Sequence, residues 1–166
     1  MSRLSDELST ANRGCVVEIG GGTALGPVRI LVADDFEPWR RSIVSMIEED
    51  PGLEVIHESS DGLEAVQACL ELQPDLVVLD VSLPKLNGLE VARVIREGSP
   101  ESKILFVSVI PDRDVMREAL RIGAAGYIAK KDAARDLLKA VRAAVADREY
   151  LSFTVLPEPE TDITEE

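Results

Sequence analysis

Asp80 closes an apolar run, Leu76-Val77-Val78-Leu79, and is followed by Val81-Ser82-Leu83-Pro84-Lys85-Leu86-Asn87-Gly88. A carboxylate at the end of a buried strand is a metal ligand, a nucleophile or a turn former that ends the strand. Its companions narrow the chemistry. Asp34 and Asp35 follow the run Val28 to Ala33, Ser108 follows Lys103 to Val107, and Lys130 follows Gly126 to Ala129. Three carboxylates brought close repel and raise one another's pKa unless a cation intervenes. Mg²⁺ suits such a set, because it takes oxygen ligands, keeps several waters and bridges carboxylates to phosphate oxygens. A lysine and a hydroxyl nearby neutralise and hydrogen-bond an incoming phosphoryl group. A carboxylate is itself a nucleophile for phosphoryl transfer, giving an acyl phosphate.

Those residues meet only if the elements before them form one sheet. Val28–Ala33, Glu54–Glu58, the Asp80 run, Lys103–Val107 and Gly126–Ala129 read as strands, short and β-rich between turn signals. Between them lie helical patterns: Trp39, Ile43, Met46 and Ile47; Val66, Cys69 and Leu70; Val91, Ala92 and Ile95; Val115, Ala119 and Ile122, stopped by Gly123. A final helix buries Leu138, Val141 and Val145, with Asp132 as its expected N-cap. Strands alternating with helices predict an α/β fold, a doubly wound five-stranded parallel sheet in the flavodoxin-like order 2-1-3-4-5. In that fold the carboxyl ends of the strands share one rim, which is where each candidate residue falls.

The set resembles the receiver domains of two-component response regulators. That family has an acidic pair after strand one, a phospho-accepting Asp after strand three with Pro four and Gly eight residues later, Ser or Thr after strand four and Lys after strand five. Here Asp34-Asp35, Asp80 with Pro84 and Gly88, Ser108 and Lys130 stand in those places, in order. The stretch from Gly126 to Ala133 is similar to the subfamily whose members often carry a helix-turn-helix output domain. The resemblance implies that Asp80 is phosphorylated, and that Asp34, Asp35, Asp80 and the Ser82 backbone carbonyl hold Mg²⁺. It further implies that Lys130 contacts the phosphoryl oxygens, and that Ser108 moves inward with Tyr127 as the accompanying aromatic switch. The implied donor is a sensor histidine kinase or a histidine phosphotransfer protein. The implied readout is the surface of the fourth helix, fifth strand and fifth helix, used for a downstream protein partner or a homodimer. Three positions depart from the family: Lys131 stands where many receivers have proline, Val109 where a smaller residue is frequent, and Asn87 where Asp is frequent, the last with little expected effect.

Residues 1–27 read as a flexible N-terminal extension, 28–153 as the receiver and 154–166 as an acidic, Pro-containing tail, so the expectation is a stand-alone receiver that is not an enzyme. The glycine cluster Gly20 to Gly26 fits no phosphate loop, because Pro27-Val28 stands where Lys and Ser/Thr are required. The net charge of −13, from 18 basic and 31 acidic residues, disfavours direct nucleic-acid binding. The chain has no apolar run of membrane-spanning length and no paired-cysteine motif, and a cytoplasmic setting is expected. Cys69 reads as a core residue. The principal alternative is a receiver-like interaction module that is never phosphorylated. An aspartyl phosphatase needs a second Asp two residues after the nucleophile, where Ser82 stands.

Overall fold

A computed structural model describes residues 26–110 and 112–152. The proposed N-terminal extension up to Leu25, with Cys15 and most of the glycine cluster, and the acidic tail lie outside the described residues.

Buried β-rich runs become strands: β1 (Val28–Ala33), β2 (Leu53–Ser59), β3 (Leu76–Asp80), β4 (Lys103–Ser108) and β5 (Gly126–Ala129). Helices connect them: α1 (Glu37–Glu48), α2 (Gly62–Leu72), α3 (Gly88–Gly98), α4 (Arg113–Ile122) and α5 (Ala133–Val145). A final short strand, β6 (Tyr150–Leu151), was not expected. The sheet runs β2-β1-β3-β4-β5-β6 with every pairing parallel. The predicted order therefore stands, with a sixth strand added beyond β5.

Strand residues alternate between two apolar layers, which is why these strands read as continuous hydrophobic runs. Ile30, Val32, Leu76, Val78, Leu105, Val107 and Ile128 pack with α1 and α5. Leu31, Ala33, Val77, Leu79, Ile104, Phe106 and Tyr127 pack with α2, α3 and α4. Cys69 is fully buried in the second layer, as a free thiol whose pKa burial pushes up.

The helices begin where local chemistry satisfies their free amides. Asn87 and Glu90 form a reciprocal capping box at the start of α3, with bonds of 3.0 and 2.9 Å. Asp61 caps α2 through the Glu64 amide at 2.9 Å, and Asp112 caps α4 through the amides of Asp114 and Val115. Asp132 does not cap α5. It sits in a 3-10 turn, Lys130–Asp132, with helical backbone angles and no capping bond. A cap requires an extended backbone to aim its side chain at the helix amides, and entry through this turn removes that geometry. The buried leucine of α5 is Leu137, while Leu138 is half-buried. Leu70 is 40% exposed rather than a core residue, and lies over the backbone of Gly98.

Candidate acidic site on the sheet rim

The sheet order places a topological switch between β1 and β3, where adjacent connections leave on opposite faces and open a crevice at the carboxyl ends. Asp34, one residue beyond β1, and Asp80, the last of β3, continue the alternation of the α1/α5 layer. Both are almost fully buried, at 2% and 3% exposure, while Asp35 is exposed. The three carboxylates offer oxygens that all lie within 4.8 Å of one another.

Lys130 enters the crevice from the 3-10 turn after β5. Its ammonium lies 2.6 Å from Asp34 Oδ2 and 3.1 Å from Asp80 Oδ2. The indole of Trp39 on α1 lies 5.5 Å from the same ammonium, ring face toward the cation. Backbone amides complete the carboxylate contacts: Phe36 donates to Asp34 Oδ1 at 2.9 Å and Ser82 donates to Asp80 Oδ1 at 3.0 Å. Arg40 fixes the Asp34 segment from outside, donating to its carbonyl at 2.7 Å.

Burial pushes the Asp80 carboxyl above its usual range, and the neighbouring Asp34 charge adds to this. The Ser82 amide and the Lys130 ammonium only partly offset it. One lysine thus bridges two of the three carboxylates. All the side-chain donors offered are hard oxygens, and excess negative charge is held in a partly desolvated crevice. This donor set fits a small divalent cation such as Mg²⁺.

Ser108 and Tyr127 occupy the other parity, facing the α2–α4 layer. The Ser108 hydroxyl donates to the Ile110 carbonyl at 2.8 Å rather than reaching Asp80. Tyr127 is already fully buried, with its ring 6.3 Å from that of Phe106. Its buried hydroxyl makes no hydrogen bond of full geometry among the described residues; burial raises its pKa, and the nearby Ser108 hydroxyl partly offsets the shift. Ser82 meets Asp80 through its amide. Val109 is 66% exposed.

The loop between β3 and α3 is held close to the site by Gly88 and Lys85. A Cβ on Gly88 would lie 2.3 Å from the Asp80 carbonyl, so only glycine allows α3 to start against the end of β3. Lys85, at φ 69°, reaches Asp61 with a 2.9 Å ion pair that ties this loop to the start of α2. Sequence reading missed Trp39 and Arg40 as site residues. Trp39 was absorbed by the helical apolar pattern, and its one distinguishing signal is its position on the first turn after the acidic pair.

Comparison with known proteins agrees with this geometry. The family model for the response regulator receiver domain matches residues 30–142. The response regulator GacA of Pseudomonas viridiflava is 33% identical over 125 residues, covering 75% of this chain and 58% of that protein. The nitrate/nitrite response regulator protein NarL of Escherichia coli strain K12 is 35% identical over 131 residues, covering 79% of this chain and 61% of that protein. The chain therefore spans about three fifths of the length of these relatives. Among solved structures, the signal receiver domain of the putative response regulator NarL from Mycobacterium tuberculosis superposes with a TM-score of 0.71 at 28% identity, covering 74% of this chain and 99% of that one. With the sheet order, the acidic rim and the bridging lysine in place, this chain belongs to the response regulator receiver domain family of two-component systems.

Proposed function

We propose that this chain is a phospho-accepting receiver in which Asp80 takes a phosphoryl group from a phosphohistidine of a sensor kinase or phosphotransfer protein. The observation that carries the reading is the buried Asp34–Lys130–Asp80 bridge beside an exposed Asp35. A surface used only for binding has no use for a desolvated carboxylate pair held apart by one ammonium.

In the transfer, an Asp80 carboxylate oxygen attacks phosphorus, the phosphorus–nitrogen bond of the donor breaks, and the imidazole leaves with the electron pair. Burial raises the basicity of the carboxylate, which favours attack once it is ionised. The Ser82 amide holds one carboxylate oxygen at 3.0 Å and so fixes the direction of the other. Lys130 has only to shift from Asp80 toward the incoming oxygens to neutralise them. Asp34, Asp35 and Asp80, with the Ser82 carbonyl, would hold Mg²⁺, which supplies charge neutralisation to the phosphoryl oxygens when bound. Ser108 would leave the Ile110 carbonyl to bond the phosphoryl group. The readout would be a protein partner or a second copy at the surface of α4, β5 and α5. A cytoplasmic location fits such a reaction, and no helix among the described residues is long and apolar enough to cross a membrane.

Trp39 is the only tryptophan and lies against Lys130. A Mg²⁺ titration followed by its fluorescence is expected to saturate in the wild type and to be lost in Asp34→Ala and Asp80→Ala. An unchanged titration in both variants would remove the metal from this site and favour the interaction-module reading.

A further inference from the structure

The sixth strand has no part in the chemistry above, yet it covers the strand that carries Tyr127. Without it β5 would end the sheet and leave a row of amides and carbonyls open to pairing. After α5 the chain reverses through Asp147, at φ 56°. Arg148 donates to the Ala143 carbonyl at 2.8 Å, and Asp147 pairs with Lys103. Tyr150–Leu151 then lies parallel to Gly126–Tyr127. Beside this strand pairing, Tyr150 donates to the Ala125 carbonyl and Ser152 to the Tyr127 carbonyl, both at 3.2 Å.

A strand of two residues is marginal alone. It is fastened by a side chain. The Tyr150 hydroxyl donates to Asp136 Oδ1 at 2.9 Å, and Asp136 is 97% buried and held by Arg135 at 3.0 and 2.8 Å. Gly126 permits the approach, since a Cβ there would lie 2.7 Å from the Tyr150 carbonyl.

We propose that β6 is an intramolecular latch on β5, closed in this form and loosened when the acidic site is loaded, so that loading frees the β5 edge. The proposal rests on Asp80 being the phospho-acceptor. The coupling runs through Tyr127. Its hydroxyl is buried close enough to that of Ser108 to feel it, so withdrawal of Ser108 from Ile110 toward a loaded Asp80 changes the polar surroundings of the ring. The Tyr127 carbonyl is the acceptor for Ser152 and Tyr127 pairs with Leu151, so any shift of the Tyr127 backbone acts directly on β6.

The test is amide hydrogen exchange of the full chain by NMR, reading Tyr150 and Ser152 with and without Mg²⁺ and beryllofluoride as the phosphoryl mimic. Bound fluoride is followed by ¹⁹F NMR. In the resting wild type the Ser152 amide is expected to be protected. Tyr150→Phe, which loses one hydrogen bond, is expected to exchange about tenfold faster there. Loading the wild type is expected to accelerate Ser152 to a similar degree, while Tyr150→Phe still binds fluoride. An unprotected Ser152 in the resting wild type overturns the latch. Bound fluoride with unchanged Ser152 protection overturns the coupling and leaves the receiver reading intact. No bound fluoride defeats the phospho-acceptor reading, and the coupling falls with it.

Discussion

Lys130 and Asp80 are joined by a 3.1 Å contact at the mouth of the switch-point crevice, and the same ammonium lies 2.6 Å from Asp34. One cation thus serves two buried carboxylates at the ends of different strands. The arrangement is incompletely neutralised, and it is poised to gain from any cation or phosphoryl group that takes over one of the lysine's partners.

That imbalance predicts a pH-dependent stability. The folded-state pKa of Asp80 is raised, chiefly by burial, so the folded chain binds the extra proton between the ordinary and the raised value. Stability from this group is fullest below the ordinary carboxylate range and is lost as pH rises through the raised folded value. Asp80→Asn, which never ionises, is expected to melt about 2–4 °C above wild type at neutral pH without Mg²⁺. The gain should shrink toward zero as pH falls below the usual aspartate range. Thermal melts across pH check it, and a variant less stable than wild type at neutral pH would contradict the raised pKa.

The start of α3 predicts a contrast between neighbours. Asn87→Ala removes the capping box and should cost about 1 kcal/mol, with little effect on phosphoryl gain by Asp80. Gly88→Ala forces a Cβ to 2.3 Å from the Asp80 carbonyl, so the end of β3 must move. It should cost about 2 kcal/mol or more and also slow phosphoryl gain. Urea unfolding together with phosphorylation rates separates a cap from a positioning contact.

Ser108→Ala should leave resting stability within about 1 kcal/mol, because the Ile110 carbonyl that it abandons belongs to a highly exposed residue. Asp80 should still accept a phosphoryl group. The response of the Tyr127 amide to beryllofluoride should be much reduced, as read in ¹H–¹⁵N spectra. A full Tyr127 response in this variant would show that the hydroxyl does not carry the signal.

The fold was legible where burial on both faces produced unbroken apolar strands, as in Ile30–Ala33 and Leu76–Leu79, and where Asn87-Gly88 and Gly123 marked helix ends. The rim followed from those strands, because a parallel sheet carries every strand terminus to one side. Contacts set by side-chain direction were not legible. The Ser108 hydroxyl turns to a local carbonyl, which strand-end position cannot reveal. Trp39 supports Lys130 from a helix whose pattern marks it only as apolar. Asp132 has the residue type of a cap but enters α5 through a 3-10 turn. Tyr150-Leu151 is too short for periodicity to register, and its place depends on a tertiary bond to Asp136.

The central claim is that Asp80 accepts a phosphoryl group in a reaction that needs a divalent cation. Intact mass of the full chain after incubation with a small acyl-phosphate donor, with and without Mg²⁺, tests it most directly on wild type and Asp80→Asn. The expected result is the mass of one phosphoryl group added to wild type, only with Mg²⁺, and none added to Asp80→Asn. Equal labelling of both proteins, or none on folded wild type with Mg²⁺ and donor present, would contradict the account.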